Sequence, residues 1–182
     1  MTTLRYTAMK YTVSCILAFF TFIIPLFSQT FPSVETEKLD GKSVKIPDAF
    51  NGHFSFIGVG TSKKAEDELI TWQIPVYNKF IAKTGLMDDM FDVKVCFLPL
   101  FTGVAKAAKN KVVKKLQENN ESVVYDHLYI YSGPREPFEE FGIENKSTPY
   151  FYLLDKNGKV VWEAQGKFRQ SYFGEIEEIL TQ

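Results

Sequence analysis

The sequence predicts an α/β sandwich, in which a central mixed β-sheet is flanked by helices. Short apolar runs alternate with segments of helical period, a pattern typical of parallel strands joined by helical crossovers. Two further apolar runs enclose the Asn-Gly pair at 157–158, which indicates an antiparallel hairpin. A last amphipathic segment at residues 171–180 predicts a closing helix.

Residues 1–28 differ from the rest of the chain. Arg5 and Lys10 are their only charges, and an apolar stretch follows at 13–24. This stretch is shorter than the ~20 residues of a membrane span, and the small residue Ser28 follows it. The pattern predicts a secretory signal peptide, with an uncleaved anchor as the alternative. We therefore expect a periplasmic or secreted protein that contacts a membrane only through an uncleaved signal sequence.

The remaining residues, 29–182, are expected to form one domain. Removal of the signal peptide removes two of the 21 basic residues and none of the 22 acidic ones, so the mature chain is slightly acidic. It has no excess of basic residues that would indicate a nucleic-acid partner. Cys96 becomes the single cysteine of the mature chain. One cysteine cannot form an internal disulfide, so the fold must depend on its core alone.

The first half of the domain predicts an edge strand, a buried strand and a kinked helix. Residues 39–46 are typical of a turn followed by a short strand, and residues 53–59 form an apolar run typical of a strand buried on both faces. Hydroxyls and acidic residues at 61–68 predict a helix start. That helix should end near Gly85 and bend at Pro75, which has no N–H group. Its inward positions are Leu69, Trp72, Val76 and Phe80.

The second half predicts two more strands and two helical segments before the hairpin. Residues 92–98 are a second buried strand, and 127–131 are a third. Residues 103–119 predict a helix with an inner side of Val104, Ala108, Val112 and Leu116. Its five lysines at 106, 109, 111, 114 and 115 are expected to form a solvated face. A short helical turn is predicted at 137–142.

The hairpin begins at a proline. Pro149 cannot donate to a strand ladder, so it belongs at the start of the strand that continues through 150–154. A turn at 155–158 leads back to a second strand beginning at Val160.

These elements resemble the thioredoxin-like superfamily over nearly the whole of the mature chain. The buried strand and Pro-kinked helix at 54–85, the Thr148-Pro149 pair before a hairpin, and the terminal helix are its marks. The segment 39–44 looks like the entry of the extracytoplasmic thiol–disulfide oxidoreductases, and 152–160 looks like their hairpin. The resemblance implies a thioredoxin-like sandwich.

The same resemblance implies a peptide-binding role for Thr148 and Pro149. In that superfamily the proline is cis, and the residue before it offers its backbone N–H and C=O to an extended peptide. A trans proline that only begins a strand is the alternative, because cis bonds are uncommon.

Working members carry a Cys-x-x-Cys pair where the kinked helix begins. The corresponding loop here contains Thr61, Ser62, Lys63 and Lys64, and no cysteine. Hydroxyl groups lack the acidity of a thiol at a helix N-terminus, so dithiol exchange loses its nucleophile. We expect these four side chains to shape a non-covalent peptide site beside Thr148.

A second set of phrases is similar to the thioredoxin-like assembly factors of the mitochondrial ATP synthase. They are Trp72-Gln73-Ile74-Pro75, the run 150–155, and Val160-Val161-Trp162. Those factors act as chaperones for a membrane subunit. This resemblance implies a chaperone or assembly role without redox chemistry.

The sequence therefore predicts a redox-inactive thioredoxin-fold protein of the cell envelope that binds a polypeptide partner. One alternative is a thiol oxidoreductase that uses Cys96, although a cysteine inside an apolar strand is typically inert. The other is a structural subunit of an envelope complex. No cofactor is expected, and His53 and His127 lack the spaced ligands of a metal site.

Overall fold

The computed structural model describes residues 29–118 and 125–182, so the predicted signal peptide lies outside the described residues. The chain forms seven strands and four α-helices in this part. They are β1 (Val34–Lys38), β2 (Ser43–Ile46), β3 (Phe54–Gly60), α1 (Lys63–Val76), β4 (Val93–Pro99), α2 (Lys109–Glu118), β5 (Tyr129–Ile130), α3 (Glu136–Glu140), β6 (Tyr150–Leu154), β7 (Val160–Gln165) and α4 (Ser171–Leu180).

The strands form a four-stranded and a three-stranded sheet, which isolated bridges join, with parallel and antiparallel pairs as predicted. Four strands pair in the order β4-β3-β6-β7, with β3 parallel to β4 and antiparallel to β6. Three others pair in the order β2-β1-β5, and β2 is an edge strand. Parallel bridges from Phe97 to Leu128 and from Leu100 to Tyr131 join β4 to the β5 segment. The thioredoxin-like sandwich expected from the sequence is confirmed.

Helix α1 begins at an N-cap serine and ends in a widened turn. The Ser62 hydroxyl accepts a hydrogen bond from the Ala65 N–H, which satisfies one free donor of the first turn. Pro75 lies inside the helix, and a π-helical turn at Tyr77–Ile81 follows it. The helical stretch therefore ends at Ile81, a few residues before the predicted end at Gly85.

One face of the sheet is covered by α1 and α4 around Trp72. The Trp72 ring stacks on Phe151 at 3.9 Å and on Tyr172 at 5.2 Å between centroids. Its indole N–H donates to the Gly166 carbonyl at 2.8 Å, so this buried polar group is paired. Phe173 and Ile176 of α4 are buried in the same cluster, as an amphipathic closing helix requires.

The other face is covered by α3 and by the chain around Phe31. The Phe31 ring makes edge contacts with Phe138, Phe141 and Tyr152 at 5.2–6.2 Å. Cys96 of β4 belongs to this second cluster. The two apolar layers explain why β3, β4 and β6 are almost continuously apolar.

The segment 103–118 differs from the prediction. Residues Gly103–Ala108 form a 3₁₀ helix before α2 begins. With about three residues per turn, this stretch breaks the 3.6-residue period that placed Val104 and Val112 inward. Val104 is 98% exposed and Val112 is 37% exposed, while Val113 and Leu116 pack against the core. No helix within the described residues is long and apolar enough to cross a membrane.

Candidate functional site

The loop after β3 is fastened to the turn that precedes β6. The Thr61 hydroxyl donates to the Lys146 carbonyl at 3.0 Å, and the Ser62 hydroxyl donates to the same oxygen. Ser62 also caps α1, so its side chain is engaged twice. The fold thus brings Thr61 and Ser62 next to the 145–149 turn, although they are far apart in sequence.

The two lysines of the loop differ in their surroundings. Lys63 pairs with Glu66 at 3.2 Å and with Asp67 at 3.6 Å along the first turns of α1. The hydrogen bond to Glu66 raises the pKa of Lys63 above its ordinary value, so Lys63 remains charged. Lys64 is exposed and forms no ion pair within residues 29–118 and 125–182. The Lys63 side chain is therefore directed along α1 by its ion pairs, whereas that of Lys64 is not.

The expectation that the Thr148–Pro149 bond is cis is corrected by the structure. Among the described residues the cis peptide bond is Ile46–Pro47, so the Thr148–Pro149 bond is trans. Trans is the lower-energy isomer of an X–Pro bond. In the turn before this bond, the Asn145 side-chain carbonyl accepts a hydrogen bond from the Ser147 N–H at 2.8 Å. Pro149 is buried and directly precedes β6, as the sequence predicted.

The backbone of Thr148 keeps its hydrogen-bonding capacity. Its hydroxyl accepts from the Asn145 side-chain amide at 3.3 Å. In the described part of the chain, its backbone N–H and C=O take part in no hydrogen bond. Thr148 is half-buried, and its free backbone groups permit the pairing with an extended peptide. That pairing stays a prediction.

An apolar cavity lies beside the loop, between α1 and the segment 103–118. We call it the α1–α2 groove. Its volume is about 310 Å³, and Thr61, Ser62 and Lys63 line one end. Its apolar wall includes Leu69, Phe97, Phe101, Ala108, Val112 and Leu116. Thr148 and Pro149 do not line this cavity, so the residues predicted for the site divide between two neighbouring surfaces.

Exposed apolar side chains occur on both elements that form the groove. Ile70 and Ile74 of α1 are 49% and 54% exposed, and Val104 and Val112 are exposed on the opposite segment. This surface was not predicted from the sequence, because the helical period placed Val112 in the core. No local pattern marked the groove, because it exists only once α1 and the segment 103–118 are placed side by side.

Cys96 has the properties of a packed apolar residue. It is 0% exposed and lies in the cluster on the α3 face, whereas the groove is on the α1 face. Burial raises the pKa of the Cys96 thiol well above its ordinary value. A protonated, inaccessible thiol is a poor nucleophile. This finding argues against the single-cysteine alternative.

Metal binding finds no support in the part of the chain that the structure describes. No cluster of three or more His, Cys, Asp or Glu side chains lies there in a suitable arrangement. His53 Nδ1 lies 2.7 Å from Asp92 Oδ2, and these two residues belong to no such cluster. The candidate site is therefore the apolar α1–α2 groove together with the hydrogen-bonded loop at its end.

Comparison with known families identifies one match over nearly the whole chain. Residues 1–176 match the model of the family described as ATP10 protein. No curated protein matches the chain.

Solved structures similar to this chain share its fold at low sequence identity. One is the thioredoxin domain of a thiol-disulfide oxidoreductase from Bacteroides vulgatus, with 18% identity, a TM-score of 0.59, and coverage of 84% of this chain and 96% of that chain. A second is the pneumococcal exposed lipoprotein thioredoxin Etrx1 from Streptococcus pneumoniae. It has 16% identity and a TM-score of 0.55, and the match covers 81% of this chain and 99% of that chain. A third is BsSco, a member of the Sco family of cytochrome c oxidase assembly proteins. It has 15% identity and a TM-score of 0.55, and the match covers 84% of this chain and 92% of that chain.

Proposed function

The chain belongs to the ATP10 protein family of ATP synthase assembly factors, and from this premise we propose that it holds an apolar polypeptide segment in the α1–α2 groove. The binding is non-covalent and involves no thiol chemistry. The observation that carries the proposal is an apolar cavity whose one end is lined by Thr61, Ser62 and Lys63, at the start of α1.

The shape and chemistry of the groove support an apolar ligand. Its volume of about 310 Å³ lies at the lower end of the ~300–1,000 Å³ typical of ligand sites. Leu69, Phe97 and Phe101 offer the apolar wall. Each large aliphatic side chain that a partner buries contributes about 1.5–3 kcal/mol, so a few such contacts give useful affinity without a covalent bond.

The loop supports a binding role rather than a catalytic one. Thr61 and Ser62 donate to the Lys146 carbonyl, which keeps this end of the groove in one conformation. A preformed site loses less entropy when it binds its partner. Thr148 adds a backbone N–H and C=O that an extended segment can pair with by strand addition.

The proposal also includes an extracytoplasmic location. It is supported by the signal-peptide pattern of residues 1–28, in which two basic residues precede a short apolar stretch. The competing functions are a thiol oxidoreductase that uses Cys96 and a structural subunit of an envelope complex. The experiment below distinguishes both from polypeptide binding.

The experiment compares two alanine-to-tryptophan variants of the full chain. Ala108 lines the groove, whereas Ala107 is exposed next to it and does not. The probe is a fluorescein-labelled synthetic peptide with leucines on one face, and binding is followed by anisotropy. We expect Ala108→Trp to weaken binding at least tenfold because the indole occupies the groove, while Ala107→Trp stays within about twofold.

The proposal fails if wild type does not bind the peptide, or if the two variants bind it equally well. Circular dichroism melts of both variants ensure that any loss of affinity is not a loss of folding. Binding that requires a free Cys96 thiol would instead support the oxidoreductase.

A further inference from the structure

We propose that the segment 103–118 docks the protein on an anionic membrane surface. The segment contains five lysines and one acidic residue, Glu118, in a chain whose formal net charge is -1. Positive charge is therefore concentrated on one element of an otherwise slightly acidic protein. The solvated face predicted from the sequence is, on this proposal, a lipid-binding face.

Most of these lysine side chains lie on the outward face of α2. Lys109 is tied to Glu37 at 2.6 Å and is only 19% exposed. Val113 and Leu116 pack against the core, and Lys111, Lys114 and Lys115 are exposed. Residues two positions apart lie about 200° apart around a helix, so Lys115 lies almost opposite Val113, and Lys114 almost opposite Leu116.

Few acidic groups neutralise these lysines. Lys114 lies 3.9 Å from Glu118, a distance that gives a weak exposed pair. Lys106, Lys111 and Lys115 form no ion pair within the described residues. The outward face therefore presents unneutralised positive charge to whatever approaches it.

Apolar side chains accompany the charge. Val104 is 98% exposed where the segment begins, and Val112 is 37% exposed. Lysines next to exposed aliphatic side chains are typical of elements that lie in a membrane interface, where the charges meet lipid headgroups and the apolar groups enter the acyl boundary. A wholly polar partner would leave Val104 without an apolar contact.

The choice of lysine favours lipid over an acidic protein as the partner. Arginine recognises carboxylates of a protein partner through a rigid two-pronged geometry, and the segment contains no arginine. Lysine is a flexible point charge, which suits a diffuse anionic surface. The charge complementarity is therefore with a membrane containing acidic lipids.

Docking in this way would bring the groove to the bilayer. Ala105, Ala108, Val112 and Leu116 of the same segment line the α1–α2 groove. A segment held there would be shielded from water while it lies beside lipid. The membrane docking itself goes beyond the proposed function, because it requires no ligand in the groove.

The test measures sedimentation of the full chain with two kinds of vesicle. One is pure phosphatidylcholine, and the other contains about 30% phosphatidylglycerol, an anionic content that creates a negative surface potential. The variant changes Lys111, Lys114 and Lys115 to glutamine. Each lysine near an anionic surface contributes about fivefold to partitioning, so the triple change should weaken binding to anionic vesicles about 100-fold.

A second triple variant controls for net charge. It changes Lys42, Lys159 and Lys167 to glutamine, and these exposed residues lie on the β1–β2 turn and around the β6–β7 hairpin. Lys42 lies 2.8 Å from Asp40 and Lys114 lies 3.9 Å from Glu118, so each triple variant removes one ion-paired lysine. Residues 1–28 are identical in all samples, so their contribution cancels in the comparison.

The proposal predicts that wild type prefers anionic vesicles and that the control variant binds within about threefold of wild type. Equal binding of wild type to the two vesicles would overturn it. So would equal losses in the two triple variants. Binding to polyglutamate beads but to neither vesicle would assign the segment to an acidic protein and refute membrane docking.

Discussion

The burial of Cys96 makes a prediction that separates polypeptide binding from thiol catalysis. The perturbation is Cys96→Ala, made in a Cys15→Ser background so that Cys96 supplies the only thiol. We expect the variant to fold and to bind the fluorescent apolar peptide as tightly as its parent. Cys96 lies on the sheet face opposite the groove, and its side chain does not line that cavity.

The stability cost follows from the packing around the sulfur. Cys96 is 0% exposed, so the substitution removes one buried heavy atom and leaves a small cavity. Removal of a single buried group of this size, as in Ile→Val, costs about 0.5–1.5 kcal/mol. For a domain of this length, each kcal/mol lowers Tm by about 2–4 °C. We therefore expect a decrease of about 1–6 °C in the melting temperature.

The assay combines thermal melting with thiol titration by a chromogenic disulfide reagent. In the folded parent, burial and the raised pKa of the Cys96 thiol should limit the reaction to rare openings of the structure. In denaturant, one thiol should react at once. Rapid stoichiometric reaction of the folded protein near neutral pH would refute this reasoning, and loss of peptide binding in Cys96→Ala would favour the oxidoreductase.

Two further predictions concern side-chain hydrogen bonds that stabilise the two ends of the α1 region. Ser62→Ala should lower the free energy of unfolding by about 1 kcal/mol through loss of the α1 cap, measured by urea titration, and an unchanged midpoint would contradict the capping role. Asp88→Asn should cost roughly 2–3 kcal/mol, because Asp88 accepts from Lys79 at 2.6 Å. Burial opposes ionisation of Asp88, but the Lys79 and Gly85 donors outweigh it and lower its pKa. Its contribution is therefore present above the ordinary pKa of 3.8 and is lost as the pH falls below that value, so the variant should show a weaker acid-side decline in stability.

Most of the fold could be predicted from local patterns. The runs that became β3 and β4 are apolar throughout, because both faces of these central strands are covered. Helix α4 begins and ends at the predicted residues, Ser171 and Leu180. Its apolar positions, Phe173 and Ile176, repeat at helical spacing, which is the most reliable sequence signal.

The groove could not be predicted, because it depends on the spacing between two elements that are distant in sequence. Its far wall begins with the 3₁₀ turns at Gly103–Ala108, and these turns shift the faces of all residues that follow. The trans geometry of Thr148–Pro149, by contrast, is the one that the local sequence favours, because a proline that only begins a strand needs no cis bond. The family resemblance implied cis, and it was wrong at this bond.

Site-specific photo-crosslinking tests the central claim, that the α1–α2 groove binds an apolar polypeptide segment. A benzophenone amino acid is placed at Val112, which lines the groove, or at Val161 on β7. The two positions are 37% and 38% exposed, so they are matched in access. We predict that the labelled apolar peptide crosslinks from position 112 and not from position 161. Equal yields from the two positions, or crosslinking only from position 161, would contradict the account.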